Sequence, residues 1–215
     1  MDIINTILQF LFSVLKDPIK LIQVVGYTGL ILIVFAETGL LIGFFLPGDS
    51  LLIAAGLFAA KGDMNILFLI STLTVAAIVG DAVGFYIGRK LGPKLYKKED
   101  SFFFRKKHLI AAHEFYEKHG GKTIIIARFI PIIRTFAPTV AGAAEMNYFR
   151  FAMFNVIGGF LWVWSMLLGG FYLGRVFGDK INDYIHYLII GVIIVSFIPI
   201  IIKWIKTRNE TNKVA

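Results

Sequence analysis

Apolar residues run along this chain in long stretches, not in the short periodic groups of a water-soluble core. The long stretches cover residues 21–36, 66–87, 151–173 and 184–202. A helix of roughly 17 to 25 apolar residues crosses a hydrocarbon core about 30 Å thick. The last three stretches meet that length, and the first falls slightly short of it. Two further apolar segments are interrupted. Residues 37–60 break at Pro47-Gly48-Asp49, and residues 122–146 break at Pro131 and Pro138. Proline removes a backbone donor and opens the helical ladder. Opened backbone survives at membrane depth only where protein or a wet cavity surrounds it. Both segments therefore read as re-entrant hairpins. Residues 2–16 place Ile3, Ile4, Ile7, Leu8, Leu11 and Leu15 at helical spacing with polar residues between them, which suits a helix lying in the membrane interface. Asp17-Pro18 ends it and opens the first span, 19–36. The start lacks the basic residues and small-residue cleavage site of a signal peptide.

The pattern occurs twice. Gly84-Phe85-Tyr86-Ile87-Gly88-Arg89 is followed, 86 residues later, by Gly170-Phe171-Tyr172-Leu173-Gly174-Arg175. At the same offset Ala55-Gly56 matches Ala141-Gly142 and Phe68 matches Phe154, while Phe45-Leu46-Pro47 resembles Phe129-Ile130-Pro131 nearly in phase. Several matches in one order indicate duplication. Each unit is a broken hairpin followed by a full span, 65–88 in the first and 148–174 in the second. A hairpin leaves on the side it entered, so each unit switches sides once, and the second unit lies upside down relative to the first. The predicted fold is an all-α membrane protein: an inverted repeat of re-entrant helical hairpin plus transmembrane helix, with additional N- and C-terminal helices. Inverted repeats with broken helices are a recurrent transporter plan.

Composition and charge refine this outline. Of 215 residues, 57% are hydrophobic and 17% charged, and mean hydropathy is +0.76; soluble domains carry about a quarter charged residues. The net charge of +8 could suggest nucleic acid, but the basic residues crowd the linker 93–120 and the tail 204–215. These are membrane flanks, and such an excess places both on the cytoplasmic side. The linker reads as an amphipathic surface helix, and 184–203 as a last span. Cysteine is absent, which removes disulfides, thiolate metal sites and cysteine nucleophiles. His108, His113 and His119 lie in the linker and read as interfacial polar residues, so no metal or other cofactor is expected. No P-loop, nucleophile elbow or metal-ligand pair on a span is present, and no enzyme is expected. Trp162, Trp164 and Trp204 read as interfacial belt or packing residues. Gly158-Gly159 and Gly169-Gly170 allow close helix packing, within the chain or in a homodimer.

The candidate chemistry lies in charges inside the apolar segments. Glu37 and Asp49 flank the first half of hairpin one, Arg128 and Arg134 flank Pro131 in hairpin two, and Asp81 lies inside the first unit's span. A charge at bilayer depth costs about 2.5–3.5 kcal/mol even on insertion scales, so each needs a partner or water. If the hairpins meet, two carboxylates face two guanidiniums in one pocket. Arginine stays charged and its planar fork suits phosphate or carboxylate. Helix N-termini after each break also favour anions. Arg128 and Arg134 are thus the candidate anion-binding pair. Glu37 and Asp49 are the candidate proton-coupling pair, since burial and a nearby guanidinium pull a carboxyl group's proton affinity in opposite directions. Asp81, Pro47, Gly48, Pro131 and Pro138 are candidate supporting residues. Asp49 can equally cap the helix that follows it, and Arg89 and Arg175 read as anchors at span ends.

These residues resemble a known family. Glu37 followed by Phe45-Leu46-Pro47-Gly48-Asp49 and Ala55-Gly56 is similar to the first signature of the DedA family, part of the wider VTT (SNARE-associated Golgi protein) superfamily. Gly80-Asp81, Gly84, Tyr86 and Gly88-Arg89 look like its second. Arg128-Phe129-Ile130-Pro131-x-x-Arg134-Thr135-x-x-Pro138-x-x-Ala141-Gly142 looks like its third. The resemblance spans about residues 20–178. It implies a bacterial cytoplasmic-membrane protein with two opposed re-entrant hairpins, dependent on the proton gradient, with Glu37, Asp49, Arg128 and Arg134 as functional residues. Some members carry Glu where this chain has Asp49. The implied activity is translocation of an anionic lipid, either a polyprenyl (undecaprenyl) phosphate or a phospholipid. The alternatives are a proton-coupled transporter of a small ion or solute and a non-transporting assembly factor. A lipid translocase calls for a lateral opening from the arginine pocket to lipid; a small-ion carrier calls for a pocket sealed from it.

Overall fold

The computed structural model describes residues 18–40, 43, 46, 48–97 and 121–177. The interfacial segment 2–16, the linker from 98 to 120, the span at 184–203 and the tail lie outside the described residues, as does Pro47.

Among the described residues six helices form and no strand is present: α1 Pro18–Gly39, α2 Gly48–Lys61, α3 Ile66–Lys97, α4 Lys122–Ala127, α5 Pro131–Ala143 and α6 Tyr148–Phe177. Three carry apolar segments long enough to span a membrane: Leu21–Gly39, Ile66–Gly92 and Tyr148–Phe177. At 1.5 Å per residue, the 14 residues of α2 and 13 of α5 fall short of the roughly 20 needed to cross. Large apolar side chains point outward along the long helices, among them Leu67, Phe149 and Val176, each more than 70% exposed. Such exposure suits lipid, not water.

The two units share a plan in their backbone as well as in sequence. In the first, α2 ends on Gly62 at φ 89°, with Gly62 N–H donating to Ala59 O and Asp63 N–H to Phe58 O, the paired bonds of a Schellman C-cap. In the second, α5 ends the same way on Glu145 at φ 58°, with Glu145 N–H donating to Gly142 O and Met146 N–H to Ala141 O. An asparagine then caps each long helix. Asn65 Oδ1 accepts from Phe68 N–H at 3.0 Å, and Asn147 Oδ1 accepts from Arg150 N–H at 3.2 Å.

The units are intertwined. α2 of the first packs along α6 of the second, and α5 of the second packs along α3 of the first; these are the two most extensive helix contacts after which comes α1 on α3. Glycines make both crossings possible. A Cβ on Gly56 would strike Leu167 O and one on Gly170 would strike Ile53 O; a Cβ on Gly142 would strike Phe85 O and one on Gly88 would strike Thr139 O. The main apolar core, with Leu30, Leu51, Leu73 and Leu167 wholly buried, lies among α1, α2, α3 and α6. A smaller one forms around Phe85 and Phe151.

Several boundaries differ from the sequence expectation. Glu37 belongs to the end of α1, not to a hairpin starting at 37, because the helix runs on to Gly39. α1 itself is two pieces joined at Gly26, whose φ of 57° and ψ of −157° leave the helical region at little cost only for glycine. α3 continues past residue 88 through Pro93 to Lys97, taking in the first residues assigned to the linker. In the second hairpin segment the break falls once, over 128–130. Pro138 does not break it: it lies within α5, where a single missing donor leaves the rest of the ladder intact.

Candidate functional site

The break between α4 and α5 sets the site. Pro131 takes the first position of α5, where its missing N–H would have no intrahelical partner, and Ile130 before it is extended, at φ −116° and ψ 105°. This places Arg128 at the end of α4 and Arg134 one turn into α5, both turned into the protein and 2% and 4% exposed.

Each arginine meets a different set of partners. Arg134 Nη1 donates to Asp49 Oδ1 at 2.5 Å, and its Nη2 donates to Glu37 Oε1. Arg128 Nη2 donates to Asp81 Oδ2 at 2.5 Å and to Asn155 Oδ1. The pairing joins α5 to α1 and α2, and the α4–α5 break to α3 and α6. Glu37 and Asp81 are buried; the Asp49 side chain keeps 15% of its surface. Gly48 belongs here too, because a Cβ on it would occupy the space of the Glu37 carboxylate.

The expectation of two acids facing two arginines is thus filled in differently for Arg128. Its acidic partner is Asp81, which moves from a supporting position into an ion pair. Three carboxylates and two guanidiniums share the site. With every group counted as ionised, the Asp81–Arg128 pair balances and the Glu37–Arg134–Asp49 group carries one surplus negative charge. Several guanidinium donors remain without a partner among the described residues: Arg128 Nε and Nη1, and Arg134 Nε. Leaving a buried charged donor unmet costs more than the roughly 1–3 kcal/mol of a neutral one. Such groups need water or an anionic ligand.

Two site residues escaped the sequence. Trp162, assigned to the belt or packing class, is fully buried. Its Nε1 donates to Asp49 Oδ1 at 2.7 Å, and its ring lies 4.4 Å from Arg134 Cζ, within cation–π range. Asn155 carries no charge to mark it, although an amide inside the apolar stretch 151–173 is itself a signal. Gly158 and Gly159, read as packing glycines, lie against Arg128 as well as against neighbouring helices. Pro131 and Pro138 shape α5; neither makes a polar contact with the charges. The linker histidines lie outside the described residues, and no cluster of metal-ligating side chains occurs among the described ones.

The VTT domain profile matches residues 46–170, which contain α2 to α5, most of α6 and every site residue except Glu37. Over its full length the chain is 43% identical to Protein DedA of Escherichia coli (strain K12), covering 100% of both sequences. It is 38% identical over 181 residues to Inner membrane protein YqjA of the same strain, covering 81% of this chain and 80% of the relative. It is 42% identical over 183 residues to an uncharacterized membrane protein of Mycobacterium leprae (strain TN), covering 85% and 81%. No solved structure matches the chain. With a family profile across more than half of its length and a relative matched from end to end, the chain belongs to the DedA family of VTT-domain membrane proteins.

Proposed function

We propose that the protein is a carrier, not an enzyme, that moves an anionic lipid across the cytoplasmic membrane, the head group being a phosphate such as that of polyprenyl (undecaprenyl) phosphate or a phospholipid. The observation that carries this reading is the pair of buried arginines at a helix break, with N–H groups still unengaged among the described residues. A guanidinium fork fits a phosphate, and a short break at membrane depth is where transporters place their sites. α2 with the segment before it, and α4 with α5, act as re-entrant hairpins of an inverted repeat. The linker and the tail face the cytoplasm.

Charge counting supplies the coupling. With three carboxylates ionised against two guanidiniums, the site repels an anion. One proton on Glu37 or Asp49 balances it, and a second leaves Arg134 free to hold a phosphate. Loading is therefore favoured from the more acidic side, and the anion and its protons travel together. In proteoliposomes, flipping of NBD-labelled phosphatidylglycerol or labelled undecaprenyl phosphate should accelerate as the loading side is acidified. Glu37→Gln with Asp49→Asn fixes the charge of the protonated site, so this variant should flip with no response to a pH gradient. A full pH response in that variant would remove the coupling.

A proton-coupled carrier of a small anion is the second reading. One observation favours it: Glu37, Arg128 and Arg134 are each at most 4% exposed, so the site is enclosed, and a lipid head group reaches it only after helices part. Uptake of a small labelled anion, with no lipid flipping in the same vesicles, would decide for that reading.

A further inference from the structure

Helix α6 contributes no charge to the site, yet it touches both arginines. Its contacts come from Asn155, Gly158, Gly159 and Trp162, spaced i, i+3, i+4 and i+7, which is a single stripe along a helix. Each member does something different. The Asn155 amide donates from Nδ2 to Ile78 O on α3 at 3.0 Å, and this turns its Oδ1 toward Arg128. Asn155 and Asp81 thus hold the same nitrogen, Nη2, leaving Nε and Nη1 for other partners. Gly158 clears the way for the side chain: a Cβ there would lie 3.0 Å from Arg128 Cδ and 3.3 Å from its Nε. At Gly159 the added atom would lie 2.9 Å from Ile78 Cγ1. Trp162 lies beneath Arg134 and donates to Asp49, the carboxylate that Arg134 itself holds.

We infer that this stripe, Asn155-x-x-Gly158-Gly159-x-x-Trp162, is the positioning element of the site, fixing the two guanidinium groups so that they act on one phosphate-type anion. The inference rests on the anion-carrier reading above. Its neutrality is the functional point. An amide and an indole orient cations as a carboxylate does, but without competing for them against the ligand. A carboxylate at 155, added to Asp81 on the same nitrogen, would give Arg128 two anionic partners and exclude the anion.

The test is a reciprocal exchange of the two acceptors on Arg128. Asp81→Asn, Asn155→Asp and the double variant are compared with the unmodified protein, by melting temperature in detergent and by flipping of NBD-labelled phosphatidylglycerol. Asp81→Asn leaves a buried guanidinium without its anion and should lower the melting temperature by about 5–10 °C. Asn155→Asp should cost less stability but reduce flipping by about tenfold or more. The double variant again offers Nη2 one carboxylate and one amide, although a carboxylate at 155 cannot donate to Ile78 O; it should flip within about threefold of the unmodified protein while recovering part of the melting loss. A double variant no more stable than the weaker single variant would overturn the shared grip on Nη2. Recovered melting with flipping still lost would overturn the positioning role and leave a structural pair only.

Trp162 provides a readout independent of flipping. In a Trp164→Phe, Trp204→Phe background it is the sole tryptophan. Short-chain phosphatidylglycerol or inorganic phosphate should change its emission saturably, and Arg134→Lys should abolish that change. An unmodified protein that flips no lipid but shows the change with inorganic phosphate would sink the lipid reading and sustain the stripe. Emission indifferent to both probes would sink the stripe.

Discussion

Replacing Arg134 by alanine should reduce lipid flipping to the rate of protein-free vesicles and destabilise the fold by about 3 kcal/mol, since removing one partner of a buried ion pair leaves the others uncompensated. Two carboxylates, Glu37 and Asp49, lose their cation together, and the Trp162 ring loses the guanidinium stacked on it. The two effects separate by design. Acidification restores part of the melting temperature, because a protonated carboxyl needs no cation, but it does not restore flipping. Arg134→Lys keeps the charge and loses the planar fork, so it should retain most of the stability and little of the transport. Flipping in Arg134→Ala equal to that of the unmodified protein would remove this residue from the carrier site.

The second large effect is expected from Gly142→Val. A side chain there runs into the carbonyl oxygen of Phe85, and backbone inside α3 cannot move aside as a flexible side chain does. Overpacking costs about 1–3 kcal/mol and sometimes more; the upper end applies here, a fall of about 5–10 °C in melting temperature. The damage reaches the site, because α5 carries Arg134 and the shift draws it away from Glu37 and Asp49. Gly56→Val presses on Leu167 O in the other unit and should cost a similar amount. Gly169→Ala is the control: nothing lies within 4 Å of its added carbon, and alanine favours a helix by about 1 kcal/mol over glycine. If Gly142→Val melts like the unmodified protein, the intertwined packing of the two units is wrong.

Much of the architecture is legible along the chain because membranes impose local rules. The apolar stretches at 66–87 and 151–173 become spanning helices since every backbone group at depth must bond within its own helix. The breaks before α2 and before α5 are marked by Pro47-Gly48 and Pro131. The 86-residue repeat returns as matching C-caps at Gly62 and Glu145 and matching N-caps at Asn65 and Asn147. Charges are costly in these segments, so Glu37, Asp49, Asp81, Arg128 and Arg134 stand out as candidates before any partner is known. Pro138 lies inside α5, and a proline inside a helix and a proline that ends one look alike in sequence.

Short-range physics thus dictates which segments are helical, which can span and which charges require a partner. Which charge meets which is set by the packing of helices far apart in the chain. Arg134 reaches acids 85 and 97 positions away, Arg128 reaches Asp81 across 47, and Trp162 meets Asp49 across 113. Those choices follow from each unit's short helix packing on the other unit's span, an arrangement made by glycine contacts between helices distant in the chain. Asn155 and Trp162 carry no charge, and nothing along the chain ties either of them to a particular arginine. Their part in the site emerges only when a guanidinium is packed against them.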